Sequence, residues 1–270
     1  MAGVHLVTCI DWNYRHWAET MLESTKPFNN FTKKFVIAVG EGDWEQWGEK
    51  YDVIIVPQPW HTNPVFDKIR WCQNVRMRHL HSLIKGSDWL LQVDADTRQN
   101  RPLNTKIFKR VKNPQYALSF AVTKSIGRMI GIGRFKDVDD RFRINAGWVL
   151  YKNNAITKKL LKKILVDFDL KYNDDPTNPN NSARNWDQVR LWKVFGKYMR
   201  SVENKYIDDG AKGGFWFDSW WFHCKGPGSK ARTIETWHDL SKPPEPQAVD
   251  QNPKYRKKWM RNVPNIVKLT

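Results

Sequence analysis

A chain of 270 residues with 45 Lys and Arg against 28 Asp and Glu carries a net charge of +17, and 40% of it is hydrophobic. That is globular composition, long enough for one large α/β domain, and no apolar run approaches the roughly 18 residues of a membrane span. The charge, with a pI near 9.8, favours polyanionic partners: nucleic acid, an anionic membrane surface or phosphorylated substrates.

The opening, MAGVHLVTCIDW, has no basic n-region and no small-residue cleavage site, so it reads as a strand and not a signal peptide. Residues 4–10, 34–39 and 52–56 are short β-rich runs that stop at Asp11, Gly40 and Pro57, and 12–25 holds a helix with Trp17, Met21 and Leu22 on one side. From Pro64 to Gly86 the spacing predicts a helix with an apolar stripe of Ile69, Cys72, Val75, Leu80 and Leu83, while Arg70, Arg76, Arg78 and His81 lie off it. DWLLQV (88–93) follows as a buried strand and runs directly into Asp94-Ala95-Asp96. Further strands are expected at 116–122 and 144–151, separated by a charged loop, then an amphipathic helix at 156–168 with Leu160, Leu161, Ile164 and Leu165 inward and Lys158, Lys159, Lys162 and Lys163 in water. A turn-rich loop (173–185) precedes a short helix in NWDQVRLWKVFGK, and 241–270 reads as an extended linker with a basic tail.

Strands alternating with helices imply a mainly parallel sheet covered on both faces, with ligands at the carboxyl ends of its strands. Asp11 and the Asp94/Asp96 pair stand at such ends. Two carboxylates at i and i+2 in the bend after a strand can both approach one hard divalent cation, whose remaining positions take phosphate oxygens and water. An acidic turn or helix cap is the commoner use of such a pair. The three cysteines, Cys9, Cys72 and Cys224, have no metal-ligand spacing; they imply no disulfide framework and suit a cytoplasmic, reducing setting.

DWLLQVDAD after a basic helix, then INAGWVLYKN, NWDQVRLW and WWFHCKGPGSK, resemble the successive motifs of GT-A-fold, metal-dependent glycosyltransferases. The chain is most similar to the retaining group that includes glycogenin and the bacterial lipopolysaccharide galactosyltransferases, over about residues 4–235. The resemblance implies a single domain over 1–240, with the nucleotide sugar bound in about 1–100, the acceptor side and metal completion in about 101–240, and 241–270 outside it. It implies that Asp94, Asp96 and His223 hold Mn²⁺ or Mg²⁺, a mixed oxygen and imidazole set that suits Mn²⁺. Asp11, near Thr8 and Cys9, would meet the nucleotide, and Arg76 or Arg78 the donor sugar or diphosphate; two helix positions apart, they diverge by about 200°, so one of them faces the site. Asn145, Ala146 and Gly147 would floor the transferred sugar. Asp187 and Gln188 would act on its reacting face, where a carboxylate or amide binds hydroxyls and stabilises an oxocarbenium-like transition state. Gly226 would let the backbone approach phosphate and Lys230 would neutralise it. That lysine stands one residue farther from His223 than the His-x-x-Gly-x-x-Lys pattern of the family, which leaves Lys225 as the alternative.

The implied activity is transfer of a sugar from a nucleotide-diphosphate sugar, with UDP the expected nucleotide and the anomeric configuration retained, onto a hydroxyl. The acceptor is read from charge. Basic clusters at Arg101–Lys112, Arg128–Arg143 and Lys158–Lys163, and a tail with Tyr255 and Trp259 among cations, favour a hydroxymethylated base in DNA. The alternatives are a cell-surface glycan or lipid-linked acceptor, with the tail lying on the membrane, and a non-catalytic, basic nucleic-acid-binding protein.

Overall fold

The structure, a computed structural model, describes residues 3–57, 66–103, 117–120, 145–171, 187–195, 198–202, 207–208, 221–223 and 240. The expected charged loop, the Gly226–Lys230 segment and the basic tail lie outside the described residues.

Strand β1 (Val4–Asp11) is the hub. It pairs in parallel with β2 (Lys33–Val39) on one side and β4 (Trp89–Val93) on the other, and β3 (Asp52–Val56) extends the sheet beyond β2. Past β4 the direction reverses: β7 (Asn145–Lys152) is antiparallel to both β4 and β6 (Ala117–Phe120), and β8 (Met199–Val202) closes the order β3-β2-β1-β4-β7-β6-β8. A second sheet joins β5 (Thr97–Gln99), β10 (Trp221–His223) and β9 (Ile207–Asp208). The expected mainly parallel sheet flanked by helices is thus present, with β7 as its antiparallel exception.

Both faces of the sheet are covered. Helix α1 (Arg15–Ser24) turns Trp17, Ala18, Met21 and Leu22 inward at helical spacing, and with Trp44 of α2 (Trp44–Gly48) they meet Leu6, Leu91, Val93, Trp148 and Trp221. On the opposite face α3 (Phe66–Leu83), α4 (Ala155–Lys171) and α5 (Asp187–Phe195) bury Val75, Met77, Leu80, Leu161, Ile164, Leu191 and Phe195 against Val7, Leu90, Val149 and Tyr151. Period-two alternation divides β4 between the two: Trp89, Leu91 and Val93 point to α1, Leu90 to α3. Gln92 shares the α3-facing parity of Leu90 and is fully buried, so its amide has to find partners inside the protein.

Elements shorter than a periodicity signal escape the sequence: α2, β5, β9 and β10 have two to five residues each. They shape one corner. Ser24 Oγ accepts from Gln99 N at 3.0 Å, tying α1 to β5, and the backbone of β10 runs antiparallel to β5 with His223 opposite Thr97. The strand carrying His223 is therefore delivered beside the Asp94–Asp96 turn by a pairing more than a hundred residues long in sequence.

Candidate active site

The carboxyl ends of β1 and β4, the amino end of β7 and the start of α5 gather at one edge of the main sheet, as a parallel sheet with one reversed strand requires. Asp94 leaves β4 with its backbone N donating to Gly147 O at 2.9 Å, and Thr97 Oγ1 donates to Asp94 O at 2.8 Å, closing the turn that holds both aspartates. Asp94 is partly exposed and Asp96 buried.

Arg76 is the centre of the cluster. It is 2% exposed, and a charge taken out of water has to be paired. Nη1 donates to Asp94 Oδ1 at 2.5 Å and Nη2 donates to Asp187 Oδ2, whose side chain is 1% exposed. Nη2 also reaches Ala146 O at 3.4 Å. Burial by itself would lower the guanidinium pKa, but Asp187 and then Asp94 overcome it and hold the group above its ordinary value. The planar fork of arginine permits this double contact; a lysine ammonium would offer a single point charge.

A second layer supports the first. Gln92 Nε2 donates to the same Ala146 carbonyl at 2.8 Å, and Tyr151 OH donates to Gln92 Oε1 at 3.2 Å. Burial pushes the Tyr151 phenol well above its usual range, Arg76 opposing and Asp187 adding to the shift, so the hydroxyl stays protonated and a donor. The chain Tyr151–Gln92–Ala146–Arg76 fixes the backbone of the Asn-Ala-Gly segment from beneath. Neither Gln92 nor Tyr151 is among the site residues read from the sequence. The signal was there in WLLQV, one amide in an otherwise apolar buried strand.

The two arginines separate as helical geometry requires: Arg76 meets both carboxylates, and Arg78, half-buried, lies by His79, whose pKa is lowered by burial and then by Arg78. Asp11 uses Oδ1 to accept from Tyr14 N at 3.1 Å, capping the short 3-10 turn Trp12–Tyr14. Thr8 is buried between β2 and β4, and its Oγ1 has no hydrogen-bond partner among the described residues; Cys9, the next residue of β1, is half-buried. Next to Asp11, Trp12 and Trp44 pack edge to face at 4.9 Å, with Arg15 over Trp12 at 4.8 Å. Gly42 is required there, since a Cβ at this position would lie 2.4 Å from the Trp12 ring.

The donor set fits a hard divalent cation in kind: two carboxylates in one turn, and a histidine whose strand is paired to the next residue. Among the described residues no group of three His, Cys, Asp or Glu side chains is disposed around one point. The side chains of His223, Gln188 and Asn145 lie outside the described residues, although the backbone places His223 on β10, Gln188 in the first turn of α5 and Asn145 at the start of β7.

At the level of sequence, no family model and no curated protein matches the chain. Solved structures do match, and they define the class: the chain has the GT-A glycosyltransferase fold. It is similar to the galactosyltransferase LgtC in complex with donor and acceptor sugar analogs, with 16% identity, a TM-score of 0.56, and coverage of 94% of this chain and 99% of that one. It is also similar to the apo form of the glycosyltransferase GlyE of Streptococcus pneumoniae (17% identity, TM-score 0.55, 96% of this chain, 64% of that one). A third neighbour is a glycosyltransferase involved in glycosylation of the major capsid of PBCV-1 (11% identity, TM-score 0.51, 88% and 98%).

Proposed function

We propose that this protein is a glycosyltransferase that uses a nucleotide-diphosphate sugar, with UDP as the nucleotide, and a divalent metal. The observation that carries the reading is the Arg76 cluster: at the ligand-binding edge of a GT-A sheet, one buried guanidinium bridges a carboxylate of the Asp94–Asp96 turn and the carboxylate that opens α5. Asp94 and Asp96, with His223, would hold Mn²⁺ or Mg²⁺, which when bound neutralises the diphosphate that departs. Arg76 keeps the metal-binding turn and the sugar-facing helix in one register. Asp187 and Gln188 then present oxygen and amide groups to the sugar as positive charge develops at its anomeric carbon. Ala146 and Gly147 leave room for the ring, and the Gln92–Tyr151 pair prevents their backbone from rotating. Lys230 or Lys225 would take the leaving phosphate, with Gly226 giving it room. Retention of the anomeric configuration goes with this reading by similarity to the neighbouring fold.

The acceptor we favour is a sugar hydroxyl, in place of the hydroxymethylated DNA base suggested by charge alone. The cluster Lys158–Lys163 was part of the case for DNA, and α4 starts beside Lys152, which pairs with Trp89 at the foot of β4, opposite the end that carries Asp94. Those lysines therefore begin at the wrong end of the sheet to line a groove over the reacting centre. The LgtC neighbour, for its part, was solved with an acceptor sugar analog. The test is incubation of the full chain with a panel of UDP-sugars, Mn²⁺ and either oligosaccharides or 5-hydroxymethylcytosine DNA, read by mass spectrometry. An EDTA-sensitive mass gain of one sugar on an oligosaccharide is expected. Gain on DNA alone would restore the nucleic-acid acceptor, and the absence of EDTA-sensitive donor turnover with every sugar nucleotide would remove the transferase reading.

A further inference from the structure

Helix α4 buries one face against α3 and the sheet through Thr157, Leu161 and Ile164, and exposes Lys158, Lys159, Lys162, Lys163 and Val166. At about 100° per residue these five fall within an arc of about 140°, with Val166 in the midst of the lysines and Ile156 about 20° beyond the arc. Both aliphatic residues are unusually open, Ile156 at 40% and Val166 at 46%. The neighbouring end of α3 adds charge of the same sign: the His81 imidazole is held below its ordinary pKa by partial burial and then by Lys85, Lys162 and Lys158, which marks those ammonium groups as its neighbours. None of these lysines makes an ion pair among the described residues. Ammonium groups set this close, with no ion pair among the described residues, repel one another; an anionic surface relieves this.

We propose that the outer face of α4, with Lys85 of the adjoining segment, docks the protein on an anionic lipid bilayer. Charge alone would serve any polyanion, and the chemistry of the patch decides between them. The exposed residues of this face are, among the described ones, lysines and aliphatics, which offer no guanidinium fork for guanine and no exposed aromatic ring for a base to stack on. Exposed Val and Ile set among the lysines gain nothing from a phosphodiester backbone and are stabilised by entering the headgroup–acyl boundary. The patch starts at the foot of the sheet, so docking leaves the Asp94 edge open to substrate. It stands independently of the transferase reading.

The test is sedimentation of the full chain with phosphatidylcholine vesicles containing 30 mol% phosphatidylserine (an amount chosen for roughly cytoplasmic-leaflet charge) and with phosphatidylcholine alone. Binding should need phosphatidylserine and weaken with salt. The exposed quadruple variant Lys158→Gln, Lys159→Gln, Lys162→Gln, Lys163→Gln should lose roughly 600-fold in partition, each cation near the surface contributing roughly fivefold. The double variant Ile156→Ser, Val166→Ser, which keeps every charge, should lose roughly tenfold. Circular dichroism matching the wild type shows that both are folded. Wild-type partition retained in the quadruple variant would overturn the proposal, as would equal binding to neutral vesicles, or loss confined to duplex DNA binding.

Discussion

The middle of α3 and its carboxyl end carry the same sign of charge in opposite settings. Toward the ligand-binding edge, Arg76 is buried between Asp94 and Asp187 and braced through Ala146 by Gln92. About 7.5 Å farther along the axis, His81, followed by Lys85 just past the helix, faces Lys158 and Lys162, and none of these lysines makes an ion pair among the described residues. The first cation is structural: it has exchanged water for protein partners, and taking one partner away strands the others. The second group has kept its water, adds little to folding, and is available to something outside the chain.

The sharpest way to break this contrast is Arg76→Met. It leaves Asp187 buried without its guanidinium and should lower stability by about 3–5 kcal/mol in urea denaturation, with donor turnover lost. Arg76→Met combined with Asp187→Leu should recover much of that stability and none of the turnover, because the apolar pair removes both stranded charges. Full recovery of activity in the double variant would show that the cluster is only a structural brace.

Smaller effects are expected one layer down. Gln92→Leu takes the better of its two donors from the Ala146 carbonyl, leaving the long Arg76 contact, and takes the acceptor from the buried Tyr151 hydroxyl, which should cost about 1–3 kcal/mol, whereas Tyr151→Phe, which removes only the outer donor, should cost about 1 kcal/mol. Since Gln92 supports the floor of the sugar site without touching substrate, Gln92→Leu should lower kcat more than it raises KM for the donor. An unchanged kcat would confine Gln92 to folding.

Next comes His79, whose pKa burial and Arg78 depress below 6.5. The unfolded chain then binds more protons than the folded one as pH falls through 6.5, so the stability His79 allows is complete above that pH and declines below it. Urea midpoints at pH 7.5 and 5.5 should differ less in His79→Gln than in the wild type. At the exposed end, the quadruple Lys→Gln variant of α4 should leave Tm unchanged; a marked drop would mean that these lysines are held in pairs like Arg76.

The same contrast explains what the sequence could disclose. The lysine face of α4 and the buried strand β4 are written in local periodicity, and the Asp94–Asp96 pair stands out by following an apolar run. Arg76 looked like one of four polar residues off an apolar stripe, and its burial depends on Asp187, 111 residues away. Nothing local to either residue encodes their meeting. His223 is similar: motif order pointed to it, but the strand that brings it beside Thr97 is three residues long, below what any periodicity can register. Gln92 is legible in the sequence, since a buried amide in a strand is as good a marker of a polar network as a charge.

The central claim about the molecule is that the Asp94–Asp96 turn is a metal-dependent diphosphate site coupled to Arg76. Calorimetric titration of UDP into the full chain, with Mn²⁺ and then with EDTA, tests it most directly, using folded Asp94→Asn and Asp96→Asn variants for comparison. UDP should bind only with Mn²⁺ present, and each variant should weaken that binding by about 100-fold, as loss of a charged metal ligand requires. Binding of UDP that is indifferent to EDTA and to both substitutions would contradict it.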